Sequence, residues 1–168
     1  CIECRDVVET LSDSGMCDGC YESSYDSVDN IINSYNYKPA PKFFGTGDRF
    51  FGIELETEPQ DDDGGDVDMV REVQDYVSEW AYLKHDGSLC EGGFELVTHP
   101  MTLEHHLEKF TPELFRTIRN SNYVSHTNGN CGLHIHISRT AFKSDMAIVK
   151  LLEFVYGNYD NIVSKLGR

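Results

Sequence analysis

Basic residues are scarce. Lys and Arg number 14 against 29 Asp and Glu, giving a net charge of -15. Neutralising a phosphate backbone needs clustered cations, so nucleic acid is disfavoured as a partner. Anionic membrane surfaces are disfavoured for the same reason. Long hydrophobic runs are also missing. No stretch of 18 apolar residues occurs, so no segment reads as a membrane-spanning helix. The chain opens at Cys1 without a charged segment followed by an apolar one, so no signal peptide is visible. A start at Cys rather than Met suggests a trimmed or processed chain. Reduced thiols and a cytoplasmic location are the expectation. Three signatures are missing as well: H-E-x-x-H, G-x-S-x-G and the P-loop. Internal repeats are absent.

What is present suffices for a core. The 168 residues are 39% hydrophobic and 11% aromatic, enough for one compact domain with a small appendage. Four of the six cysteines form C-x2-C-x12-C-x2-C through Cys1, Cys4, Cys17 and Cys20. Two C-x2-C knuckles supply the four thiolates of a tetrahedral structural zinc site; two disulfides are the alternative. Cys90 and Cys131 belong to no motif and read as ordinary buried or half-buried thiols.

Tyr21, Tyr25, Val28 and Ile32 follow helical spacing. The Pro-containing segment Lys38-Pro39-Ala40-Pro41-Lys42 then reads as a stiff linker. The expected organisation is a zinc module with a helix over residues 1–37, a linker over 38–49 and a main domain over 50–168. In the main domain, Phe51, Ile53 and Leu55 alternate with Gly52, Glu54 and Glu56, which predicts a strand. The acidic stretch from Gln60 to Asp66 reads as a solvated loop, its spacing unlike that of an EF-hand. An amphipathic helix carries Val70, Val73, Val77 and Trp80. Short strands are expected at 82–84 and 93–98, then helices around Leu103–Phe110 and after Thr111-Pro112. A strand carries Leu133, Ile135 and Ile137 on one face and His134, His136 and Ser138 on the other. Ser144 begins a last helix with Ile148, Leu152, Val155, Tyr159 and Val163 on one side.

Strand parity then gathers an unusual set. Glu54, Glu56, Glu95, His134 and His136 share the face opposite the apolar one. Carboxylates that close repel, and a divalent cation relieves the repulsion. Three carboxylates suit Mg²⁺ or Mn²⁺, whereas two His and one Glu suit zinc.

Four motifs stand in order: Phe51-Gly52-Ile53-Glu54-Leu55-Glu56, Lys84-His85-Asp86-Gly87-Ser88-Leu89, Gly93-Phe94-Glu95-Leu96-Val97-Thr98-His99-Pro100 and Cys131-Gly132-Leu133-His134-Ile135-His136-Ile137-Ser138. Together they resemble the amidoligase family of phages and bacteria, carboxylate–amine ligases of the glutamine synthetase-like fold. The resemblance covers about residues 50–168. It implies an α+β fold: a mainly antiparallel, curved sheet forming part of a half-barrel, with helices on one face, behind the small zinc-binding module. It implies that ATP phosphorylates a carboxylate and that an amine, of a small molecule, peptide or protein, attacks the acyl phosphate. Glu54, Glu56, Glu95 and His134 would hold magnesium. Asp86 and His136 would act at the reacting groups. Arg139 and Arg168 would meet the nucleotide. Family members continue with further strands, so this sequence corresponds to the first part of that sheet. The chain alone is therefore expected to bind Mg²⁺ weakly, to be a poor ligase, and to associate with itself or with a companion chain that completes the sheet. Two alternatives stand beside this reading: a non-catalytic zinc-knuckle adaptor on a ligase-like scaffold, and a zinc hydrolase using His134, His136 and a Glu.

Overall fold

The computed structural model describes the chain apart from residues 14, 21–26, 62–64, 128 and 167–168, with only the backbone of 163–166. Among the described residues lie β1 (Phe51–Pro59), α1 (Val67–Val77), β2 (Ala81–Lys84), β3 (Phe94–Thr98), α2 (Leu103–Lys109), α3 (Pro112–Asn120), β4 (Tyr123–Val124), β5 (Leu133–Ile137), α4 (Asp145–Gly157) and α5 (Tyr159–Leu166). None of the described helices is long and apolar enough to cross a membrane.

The strands make a five-stranded antiparallel sheet centred on β1. On one side β1 pairs with β3, which pairs with β2. On the other, its first half pairs with β5 and its last residues with β4. Register places Leu83, Leu96, Leu55 and Leu133 in one row across the sheet. Residues opposite one another in an antiparallel pair share a face. The next row on the other face is Tyr82, Val97, Glu54 and His134, and beside it lie Lys84, Glu95 and Glu56.

The leucine face is packed only over part of its width. Val70, Val73 and Val77 of α1 and Leu114 and Ile118 of α3 bury Leu83, Phe94 and Leu96. Trp80 and Met101 belong to the same core. The caps foreseen from sequence are in place: Thr111 precedes Pro112 at the start of α3, and Ser144 accepts from the Ala147 amide at the start of α4.

Four expectations are corrected. Val28–Asn30 form a single 3-10 turn, where a helix through Ile32 was expected. Ser27 caps that turn, and Val28, Asn30 and Ile31 are poor helix formers. Tyr21 and Tyr25 lie outside the described residues. Residues 28–49 are also no appendage and no free linker. Val28 and Ile32 are buried in the main core, Asn33 bridges to Lys84, and Phe44 bridges to Met101. The last helix breaks in two after Gly157, where the Asn158 amide closes on Phe154 O. Finally, helices do not cover β5: Leu133, Ile135 and Ile137 are 58%, 65% and 40% exposed, and α4 buries no residue. The short strand β4 has two residues, too few for a period to be read from sequence. In the acidic loop, Asp62 and Asp63 lie outside the described residues, while Asp66 accepts from the Met69 amide and caps α1.

Candidate metal centres

The first centre is the N-terminal cysteine cluster. Sulfur atoms of Cys1, Cys4, Cys17 and Cys20 all lie within 4.8 Å of one another. Cys4 and Cys17 Sγ are 3.8 Å apart. A tetrahedron with Zn–S bonds of about 2.3 Å has edges of about 3.8 Å, so the cluster has the size of a zinc cage. All four thiols are outside disulfides. The Cys20 backbone N–H holds the Cys17 thiol below its ordinary value. Hydrogen bonds with Cys17 and Cys4 push the Cys20 thiol up to about 11.

The second centre lies on the polar face of the sheet. One ligand atom each from Glu54, Glu95 and His134 lies within 4.8 Å of the others. Strand register brings them together: Glu54 sits opposite His134 on one side, and its other neighbour Val97 stands two residues from Glu95. Each Glu54 oxygen faces an imidazole nitrogen. His134 Nδ1 stands 3.1 Å from Oε2 and His136 Nε2 stands 3.1 Å from Oε1. Burial pushes the Glu54 carboxyl up, but the hydrogen bonds from His136 and His134 outweigh it and hold it below its ordinary value.

Glu95 is 3% exposed. Its Oε2 lies 2.8 Å from Lys84 Nζ, close enough for an ion pair. That oxygen nonetheless has no aligned hydrogen bond. Burial pushes the Glu95 carboxyl up against the pull of Lys84. Burial pulls the Lys84 ammonium down, yet Glu95 more than offsets this and its pKa is raised. Burial dominates at the carboxylate because it is the deeper of the two groups. A buried carboxylate grouped with a second carboxylate and an imidazole fits a divalent cation.

The remaining expected residues divide. Glu56 lies outside the three-residue cluster: its Oε2 accepts from the Gly132 amide at 2.6 Å, and its Oε1 is 3.9 Å from His134 Nδ1. It fixes the entry to β5 instead of offering a free ligand edge. His136 stands on the far oxygen of Glu54 and is likewise outside the cluster. Asp86 folds onto its own turn, accepting from Ser88 Oγ at 2.6 Å and Ser88 N at 2.8 Å. Those bonds hold its carboxyl below the usual range. Arg139 pairs with Asp145 at 2.9 Å, both exposed, and thereby tethers the start of α4. Arg168 lies outside the described residues. Cys131 is buried and Cys90 half-buried, neither in a disulfide.

The chain matches no family model, no curated protein and no solved structure. The centres therefore stand on their own geometry.

Sequence reasoning missed Lys84 and Glu58. Lys84 shares strand parity with Tyr82 and so could have been placed on the polar face. Glu58 is 4% exposed. It accepts from the Cys90 amide at 3.0 Å and from Asn130 Nδ2 at 3.3 Å. It continues the parity of Glu54 and Glu56 and ties together the loops that flank β3 and β5.

Proposed function

We propose that this protein is a metal-dependent carboxylate–amine ligase, or the first part of one, with a structural zinc held by Cys1, Cys4, Cys17 and Cys20. The convergence of Glu54, Glu95 and His134 carries the reading. The four ordered motifs, which resemble those of the amidoligase family and contain all three residues, direct it toward ligase chemistry. Glu54, Glu95 and His134 would hold Mg²⁺ or Mn²⁺. The ion would supply charge neutralisation for the phosphates of ATP. His136 orients Glu54 through its second oxygen, and Glu56 sets the height of β5 through Gly132. In the proposed reaction the γ-phosphoryl group passes to the substrate carboxylate, releasing ADP. An amine then attacks the acyl carbon and expels inorganic phosphate as the amide forms.

Amine- and carboxylate-dependent phosphate release from ATP tests this, read beside Mn²⁺ binding. Both should fall at least about tenfold in Glu54→Gln, the loss of one charged ligand. Mn²⁺ binding without any ATP turnover would instead favour the non-catalytic adaptor. One observation supports that second reading: Lys84, the cation beside the cluster, is already engaged by Glu95. The hydrolase alternative needs both imidazoles on one ion, and His136 stands outside the cluster.

A further inference from the structure

Gly52 sits inside β1, directly opposite His136 in regular register. A glycine within a strand weakens it, so its presence asks for a physical reason. Three ordinary reasons fail here. The regular pairing leaves no bulge. The backbone is not in the left-handed region, where Gly45, Gly65 and Gly92 are found. Nor is the site crowded, since a Cβ at Gly52 would meet only His136, at 3.6 Å from its Cβ. What a side chain would do is enter a groove of about 450 Å³.

That groove has a mixed lining. Gly52 and Val97 contribute to its floor, and Phe43 and Phe50 stand edge to face with ring centroids 5.1 Å apart. Lys38 supplies a cation, and Glu54 and His136 connect it to the metal cluster. Among the described residues Lys38 has no ion-pair partner. An apolar cavity of this size with a few polar groups at its margin suits a small organic ligand. Edge and face of two rings suit a flat apolar body. A cation on the wall, with a metal ion at the far end, suits an anion.

We propose that the groove over Gly52 seats an organic carboxylate with a ring-sized apolar body, and that glycine is present at residue 52 to leave room for it. The inference deepens the ligase reading by naming the class of its carboxylate substrate. It rests on that reading only for the carboxylate's approach to the ion at Glu54.

Titration of the full chain with 3-phenylpropanoate, 3-phenylpropan-1-ol and acetate, followed by amide NMR, tests it with and without Mn²⁺. Phenylpropanoate should saturate shifts at Phe43, Phe50, Gly52 and Ser138, with acetate at least about tenfold weaker. Lys38→Ala should weaken phenylpropanoate about two- to fivefold and leave the alcohol unchanged. Gly52→Val should abolish binding of both while Mn²⁺ still binds, and Phe43→Ala should weaken both without touching the strand. Equal affinity for acetate, no saturable shift with phenylpropanoate, or full binding by Gly52→Val and Phe43→Ala would overturn the proposal. Loss of Mn²⁺ binding alone, with Gly52-dependent phenylpropanoate binding intact, would overturn the metal reading and spare this one.

Discussion

Lys84 and Glu95 show how one ion pair holds a buried carboxylate in place beside Glu54. Lys84→Met leaves a buried carboxylate beside Glu54 with no counter-charge. The expected cost is about 2 kcal/mol at neutral pH, measured by urea unfolding, because an unpaired buried charge forfeits its solvation. Saturating Mn²⁺ should recover most of it. A second effect belongs to histidine. His106 is 5% exposed, and its Nε2 donates to Phe51 O at 3.0 Å. Burial depresses its pKa below 6.5, and burial likewise depresses that of His99. The unfolded chain therefore binds protons that the folded chain refuses. Stability is full above about 6.5 and falls as pH drops through that value toward the folded pKa. Urea midpoints should decline between pH 7.5 and pH 5, and His106→Gln, which keeps a donor for Phe51 O, should flatten the slope. At this scale the sequence was partly legible. Parity alone put Glu54, Glu95 and His134 on one face, because a strand offers only two. It could not show that Glu56 spends an oxygen on the Gly132 amide, since that bond depends on how the chain turns into β5.

Elements were legible where period and caps agreed. The strand at Phe51 and the helix over Val70 to Val77 carried a clear period, and Thr111-Pro112 and Ser144 marked helix starts. The segment before β1 misled, because prolines describe stiffness and say nothing about docking. Its contacts run across long sequence separations: Asn33 N donates to Leu83 O at 2.9 Å, and the Asn33 side chain donates to the same carbonyl at 2.8 Å. The segment thus covers the outer edge of β2, and Val28 and Ile32 fill the core beneath. Deleting residues 1–37 should therefore destabilise the sheet by roughly 3–6 kcal/mol, from two buried aliphatic side chains at about 1.5–3 each. Deleting only residues 1–26 should cost far less. Equal unfolding midpoints for the two truncations would show that the core does not use Val28 and Ile32.

Over the whole molecule the apolar surface is lopsided. The β2–β3 half of the sheet is roofed by α1 and α3, whereas β5 is an edge strand with its apolar side open. The helix α4 also shows Met146, Leu152, Phe154 and Tyr156 at 61%, 50%, 62% and 75% exposure. Exposed apolar side chains of this kind, and a strand that among the described residues pairs on one side only, drive association. Light scattering should show a mass that grows with concentration, and Ile135→Lys with Phe154→Glu should return it to the monomer. A wild-type monomer at all concentrations would mean that α4 folds back over β5 within one chain.

The amide of Gly132 lies 2.6 Å from a carboxylate oxygen that is itself 6% exposed as a residue. So short a charge-assisted bond strips electron density from the proton. The Gly132 resonance should therefore stand far downfield in a proton–nitrogen spectrum, isolated from its neighbours. Since Glu56 leans toward His134 by its other oxygen, any cation settling beside that ring must tug on the same carboxylate. One isolated peak thus becomes a spectroscopic gauge of occupancy, readable in crude extract without a substrate, an assay or a guess at the reaction.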